Sequence, residues 1–492
     1  MVVKLPSEIS EILKKFNEAG YEAYAVGGCV RDLLRGVEPE DWDVTTGAKP
    51  EEIQKIFPDS VYTNAFGTVI VKTGNERPAL TRRRGRPELK IIEVTTFRIE
   101  KKYSDKRHPD EVAFADKLED DLGRRDFTIN AMASDGEKII DPFGGQNDLK
   151  NKLIKTVGSP EDRFNEDALR MLRAPRFAVQ LGFDIEEKTA EAIKTNAGWL
   201  QAIAKERIRD EFVKIINSER PTEGVELLRE LGLLRYIIPE LLEGAGVGQN
   251  KHHIFSVWDH NLRSLDYAAK KKYDTEVRIA ALLHDVAKPR TKHGEGPDST
   301  FYGHDAVGAR MAIGILNRLR FPKHQTEKIA DLVRYHLFYY NVGEVTEASI
   351  RRLVRKVGPE NVEDLLKVRI CDRIGSGVPK AEPYKLRHLR YLIEKVSRDP
   401  ISVKMLAING DILMAGLALA PGHKIGYILN VLLEDVLNDP KKNKKEFLIE
   451  RARELNQKSQ EELKKMAEEA KQKREEVQMK IETVSKKKYW VT

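Results

Sequence analysis

The chain has 492 residues, 40% of them apolar and 33% charged, too long for one core and suited to two to four charged, largely helical domains. No run of about 18 uncharged apolar residues is present, which excludes a helical membrane span, and the N-terminus lacks the apolar core of a signal peptide. The only cysteines, Cys29 and Cys371, exclude a disulfide framework and point to a reducing cytoplasm; the net charge of +7 suits a polyanionic partner or a merely solvated surface.

Residues 1–20 space their apolar side chains as an amphipathic helix does. Short runs at 23–27, 42–45, 68–72 and 90–95 are rich in β-branched and apolar residues and predict strands. From about residue 160 apolar positions recur every three or four residues, which predicts helices nearly to the end. The expected fold class is α+β, a small mixed-sheet head followed by a long all-α body. Breaks are expected near 158–160, 244–248 and 399–400, where glycine and proline gather. Basic residues concentrate at Arg82, Arg83, Arg84, Arg86 and Lys90, and again in 441–492, which carry 16 basic and 10 acidic side chains. In that last segment Leu448, Ala452, Leu455, Leu463, Met466, Ala470, Val477 and Ile481 form a thin apolar stripe. It predicts one long, partly docked helix, with a solvated or disordered tail as the alternative.

The sharpest local pattern is GGCVRD at 27–32 followed by EDWDV at 40–44. Strand alternation puts Asp41 and Asp43 on one side. Two adjacent carboxylates repel unless cations sit between them, and such a pair suits two magnesium ions clamping a phosphoryl displacement. Gly27 and Gly28 let backbone N–H groups approach a triphosphate, and Arg31 can neutralise it. A solvated turn is the bland reading of a lone DxD; the glycines and arginine beside it favour the site.

The segment at 166–183 reads as a helix capped by Asn165. Asp167 and Arg170, three apart, would share a face and offer two acceptors and a planar fork of donors. Such an edge can pair with cytosine or adenine, and a wrong base would leave polar groups unpaired; an ordinary helical ion pair is the alternative. Pro175 removes one helical hydrogen bond and predicts a kink near Arg176. Arg207 and Glu211, four apart, are read as bracing this helix.

Further on stand His260, His284-Asp285, His304, His336 and Asp372. A His-Asp doublet ending an apolar helical run buries two polar groups at a cost unless a metal or partner satisfies them. His260, His284, Asp285 and Asp372 make a mixed nitrogen and oxygen ligand set for a divalent metal, with His304 and His336 available for a second metal or the substrate.

Taken together, these motifs resemble the class II tRNA nucleotidyltransferase and bacterial poly(A) polymerase family. The likeness extends through 95–114, through DDLGRRDFTINAMA at 120–133, through IIDPFGGQNDL at 139–149 and through the EDxxR motif at 166–170. It implies that Asp41 and Asp43 bind magnesium and that Gly28, Arg31 and Arg125 contact the triphosphate. Glu93 is the candidate third carboxylate. Asp167 and Arg170 would serve as a protein template, with Arg173 and Arg176 as further nucleotide contacts. The histidine–aspartate set resembles the HD phosphohydrolases, in which Lys288 would face phosphate. A vestigial scaffold is the alternative, although no ligand has been lost.

The implied parts are a nucleotidyltransferase head at 1–158, a neck at 159–225, an HD body at 226–395, a tRNA-binding tail at 396–450 and a basic extension at 451–492. The implied activity is addition of C, C and A to the tRNA 3′ end from CTP and ATP, with HD-dependent hydrolysis in 3′-end processing. An A-adding enzyme or poly(A) polymerase is the same-class rival. A phosphohydrolase with a nucleotide-sensing head is the rival from another class.

Overall fold

In the N-terminal helix Ser7–Glu18, Ile9, Ile12, Leu13 and Phe16 fall on one stripe, and that stripe packs on the head sheet. The computed structural model describes residues 4–62, 67–72, 91–101, 111–249, 254–338, 340–342, 345–378, 382–397 and 403–472. Arg82, Arg83, Arg84, Arg86, Lys90, the break at 399–400, Val477 and Ile481 lie outside the described residues. The same is true of much of the 95–114 segment.

The four predicted strands are present. They are β1 (Ala23–Val26), β2 (Asp43–Thr46), β4 (Thr68–Lys72) and β5 (Ile91–Thr96); β3 (Val61–Tyr62) precedes β4. After them, β6 (Arg98–Lys101) and β7 (Glu111–Phe114) pair as a separate antiparallel ribbon. The short strands β8 (Ala133–Ser134) and β9 (Ile139–Ile140) complete a seven-stranded sheet of order β3-β4-β5-β2-β1-β8-β9. Within it β2 and β5 run parallel, while β1 meets both β2 and β8 antiparallel. Alternation supplies the core face: Val44, Val69, Val71, Ile92 and Val94 are buried with the N-terminal helix stripe.

Among the described residues after 158 the one strand is Asp184–Ile185, which pairs in parallel with Leu153–Ile154, and the named elements are otherwise helices. Two compact units emerge. One holds Met1–Leu337 with Asp364–Pro379, and the other holds Phe338–Glu363 with Lys380–Thr492.

The second unit has its own core, in which Ile428, Leu432, Leu448, Ala452, Leu455 and Leu463 are buried. As far as residue 472, the lysine- and glutamate-rich segment is therefore docked by its apolar stripe. It is not the single long helix expected from its sequence. The helix Lys445–Asn456 ends, and Ser459 with Glu462 starts a new one: Glu462 N–H donates to Ser459 Oγ at 3.2 Å and Ser459 N–H to Glu462 Oε2 at 3.0 Å. That reciprocal pair is a capping box, which satisfies two otherwise unpaired donors. Among the described residues no helix is long and apolar enough to cross a membrane.

Candidate active site and a histidine–aspartate centre

The parallel β2–β5 register pairs Asp43 with Glu93. Asp41 lies in the bend just before β2, and Asp41, Asp43 and Glu93 are exposed while Trp42 and Val44 are buried. The Asp43 side chain reaches solvent at the strand's start but is crowded by protein around it. That partial removal from water, then Glu93 and Asp41, pushes its carboxyl above the usual range, with Arg125 pulling the other way. Three carboxylates crowded at one strand end are a donor set that fits divalent cations. They do not converge as tightly as the histidine–aspartate groups described below.

Gly27 has φ +85°, and a Cβ there would lie 2.7 Å from Arg125 Nη1. Glycine thus permits both the turn and the close approach of the Arg125 guanidinium. Arg125 Nη2 stands 3.5 Å from Asp121 Oδ2, and its buried Nε lacks a hydrogen-bond partner. Arg31 is more firmly held. Its Nε and Nη2 donate to Asp32 at 2.9 and 2.8 Å, and its Nη1 donates to Asn130 Oδ1 at 2.7 Å. Gly28 opens the short helix Gly28–Leu34 that carries Arg31.

The neck departs from the expected helix. Asn165 lies inside the helix Pro160–Glu166, whose cap is Ser159. Asp167 has an extended backbone, φ −138° and ψ 104°, and the next helix starts only at Arg170 and runs to Leu181. Asp167 and Arg170 therefore do not share successive turns of one helix. Asp167 Oδ1 accepts from Leu169 N–H at 3.0 Å and Oδ2 from Arg207 Nη2 at 2.8 Å. Arg170 donates to Glu166 Oε2 at 2.6 Å and to the Arg124 carbonyl at 2.8 Å, which ties it to the head. Arg173 pairs with buried Asp126 at 2.8 Å while its side chain stays 38% exposed. Arg176 is buried, donates to Glu211 Oε1 at 3.0 Å and stacks over Phe177. Burial lowers its pKa to about 10, with Glu211 opposing that shift. The helix continues through Pro175, and Arg176 is a brace to the Lys205–Ile216 helix where a nucleotide contact was expected.

In the body, five helices deliver the histidine–aspartate set to one place. His260 Nε2 lies 2.9 Å from His284 Nε2 and 3.1 and 3.4 Å from Asp285 Oδ2 and Asp372 Oδ1. Asp285 turns its other oxygen to His304 Nε2 at 3.3 Å and His336 Nε2 at 3.7 Å. The residues thus form two groups, His260-His284-Asp285 and Asp285-His304-His336, each able to hold a metal ion. Asp285 is common to both.

The Nδ1 atoms of His284, His304 and His336 each donate to the carbonyl three residues earlier, at 2.8, 2.6 and 2.6 Å. Those bonds leave the Nε2 lone pairs facing the centre, the tautomer a metal needs. Two ligands about 2.1 Å from one ion at right angles stand roughly 3.0 Å apart, close to the observed nitrogen separation. Among the described residues the buried His304 Nε2 has no hydrogen bond, its approach to Asp285 Oδ1 not forming one, an arrangement that is costly without a ligand. The residues fit divalent metal.

Lys288 Nζ sits 2.6 Å from Asp285 Oδ2 and donates to Gln249 Oε1 at 2.6 Å, so it anchors the shared carboxylate at the cavity edge. Burial opposes charge on Asp285, but Lys288 and then His284 hold its carboxyl well below the usual range. Burial likewise opposes charge on His284, and Asp285 and Asp372 push it up to about 10.

The sequence offers Asp121 only as a surface partner for Arg125; it is buried, and it accepts from Arg124 Nε at 2.9 Å and from the Thr45 hydroxyl at 3.2 Å. Sequence reasoning missed Asn130, which orients Arg31, and Arg369, which donates to Asp372 Oδ2 at 2.5 Å. The only signal for Asn130 was its place within 120–133.

The poly A polymerase head domain family matches residues 23–155, the family described as "Probable RNA and SrmB- binding site of polymerase A" matches 182–244, and the HD domain matches 257–375. A CCA-adding enzyme of Ligilactobacillus salivarius is 35% identical over 462 residues, covering 92% of this chain and 98% of its own. An A-adding tRNA nucleotidyltransferase of Deinococcus radiodurans is 34% identical over 429 residues, covering 84% of this chain and 91% of its own. The crystal structure of Bacillus stearothermophilus CCA-adding enzyme in complex with CTP matches at TM-score 0.56 and 28% identity, over 92% of this chain and 97% of that one. The parallel Asp43–Glu93 register lies within the matched head and the histidine–aspartate centre within the matched HD domain, and the chain belongs to the tRNA nucleotidyltransferase family of CCA-adding and A-adding enzymes.

Proposed function

We propose that this chain adds C, C and A to the 3′ end of tRNA from CTP and ATP, releasing pyrophosphate. The observation that carries this reading is the likeness to a CCA-adding enzyme along 98% of that enzyme's length. We assign residues 1–158 to the transferase head, 159–225 to the neck, 226–395 to the HD body, 396–450 to a tRNA-binding tail and 451–492 to a basic extension. A cytoplasmic location follows from such a substrate.

In the proposed reaction the RNA 3′-hydroxyl attacks the α-phosphate of the bound nucleotide. Asp41 and Asp43, with Glu93 beside them, are the residues that would hold magnesium, which supplies charge neutralisation for the attacking and leaving oxygens. Arg125, pressed against Gly27, grips the triphosphate beside Gly28. Arg31, fixed by Asp32 and Asn130, lends its charge to the same wall. Asp167 and Arg170 choose the base, and their bonds to Arg207, Glu166 and the Arg124 carbonyl hold them ready. Arg173, one turn along the helix from Arg170, keeps its side chain 38% exposed while paired with Asp126. Arg176 supports this group from below through Glu211.

A second activity has its own supporting observation, the convergence of four histidines and two aspartates. We assign to it metal-dependent hydrolysis of phosphate esters, with His260, His284, Asp285 and Asp372 as ligands and His304, His336 and Lys288 around a second position. Clearing a phosphate from an RNA 3′ end would expose the hydroxyl that the head requires.

The test supplies tRNA ending before CCA, or in C or CC, with CTP, ATP or both. Sequential addition of C, C and A is expected. Addition of A alone to tRNA already ending in CC would replace this reading with the A-adding one, and A tracts on other RNAs would indicate a poly(A) polymerase.

A further inference from the structure

The HD centre opens into a cavity of about 710 Å³, a size that holds a ligand as large as a mononucleotide. Asp285, His304, His336 and Asp372 lie on its floor, and Arg369, Arg373 and Tyr302 line its walls. The two arginines are one helical turn apart on Val362–Gly375, yet their states differ. Arg369 is committed to Asp372. Among the described residues Arg373 has a buried Nε without a hydrogen-bond partner.

Tyr302 is 81% exposed at the rim, directly before Gly303 and His304. Among the described residues no aromatic ring stacks on it. An aromatic face held in solvent beside a cationic wall is the arrangement that stacks a nucleobase while phosphate is gripped.

We propose that this cavity takes the phosphate ester at the 3′ end of a nucleoside, with Arg373 receiving the non-bridging phosphate oxygens and Tyr302 stacking on the base. The proposal rests on the metal-binding reading of the HD centre. A guanidinium fork matches two phosphate oxygens, and one uncommitted arginine matches a single phosphate group better than a triphosphate chain.

The test loads the full-length protein with Mn²⁺, measures its metal content by mass spectrometry, and measures binding of inorganic phosphate and of 3′-AMP by calorimetry. Arg373→Ala should weaken both ligands tenfold or more with metal content unchanged, and Arg373→Lys should restore part of that loss. Tyr302→Ala, at an exposed position, should weaken 3′-AMP about tenfold and leave phosphate unaffected. Unchanged phosphate binding by Arg373→Ala, or equal effects of Tyr302→Ala on both ligands, overturns the assignment. Metal-loaded wild type that binds neither ligand also overturns it and leaves the metal centre standing. Failure to take up metal overturns the metal centre and the proposal with it.

Discussion

Asp121 is fully buried, yet its two oxygens reach three elements. One takes the Arg124 guanidinium, and the other meets the Thr45 hydroxyl of β2 and faces Arg125. Thr45 is two residues from Asp43, Arg125 lies against Gly27, and the Arg124 carbonyl receives Arg170. One carboxylate thereby joins the strand of Asp43, the Gly27 turn and the neck. Burial alone would raise its pKa, but Arg124 and Arg125 lower it below the usual value. A depressed carboxylate contributes stability above its unfolded pKa of about 3.9, and that contribution is lost as pH falls through the folded value. Asp121→Asn should remove this acid-sensitive component and leave two guanidinium groups poorly compensated, at a cost of about 3 kcal/mol. Denaturant unfolding from pH 7 down to pH 3 measures it, and a variant with the wild-type acid profile would refute the role. The Asp41–Asp43 pair stands out in the sequence because its pattern is local. Asp121 reads there only as a surface partner for Arg125, since Thr45 is 76 residues away and burial of a charge cannot be read from spacing.

Elements show where periodicity misleads. The segment at 166–183 reads as one helix, but the extended backbone at Asp167 splits it, and Asp167 is held from outside by Arg207. The same tertiary bonding decides Arg176. The helix continues through Pro175, near which a kink was expected, and Glu211 across the helix pair holds Arg176 inside. Arg207 and Glu211 were legible as braces because their four-residue spacing sets both on one helix face. Arg176→Met keeps the stem packing but leaves Glu211 buried, with only the half-exposed Lys214 near it at 3.3 Å. Breaking such a buried pair should lower unfolding stability by about 3 kcal/mol, while the CTP KM of the folded fraction stays near wild type. A raised KM at unchanged stability would restore Arg176 to the nucleotide site.

At the scale of the chain, the alternating head and the helical remainder were legible from hydrophobic period. The division into two units was not, because residues 338–363 and 380–472 come together from both sides of the HD helix ending at Gly375. The two chemical centres are likewise far apart in sequence and draw on no common ligand. Asp41 and Asp43 lie on an open strand end, whereas Asp285 is 1% exposed and shared by both histidine groups. Their responses to metal should therefore separate. A ligand that binds only the folded state raises stability by RT ln(1 + [L]/Kd), about 2.7 kcal/mol at a hundredfold excess over Kd. Mn²⁺ should raise the melting temperature of the wild type and of Asp41→Ala alike, and a chelator should reverse the shift. Asp285→Ala should abolish most of it while leaving nucleotide transfer in place, and Asp41→Ala should abolish transfer while leaving the shift. Loss of transfer in Asp285→Ala at full folding would show that the centres are coupled, and transfer surviving in Asp41→Ala would remove that carboxylate from the catalytic set.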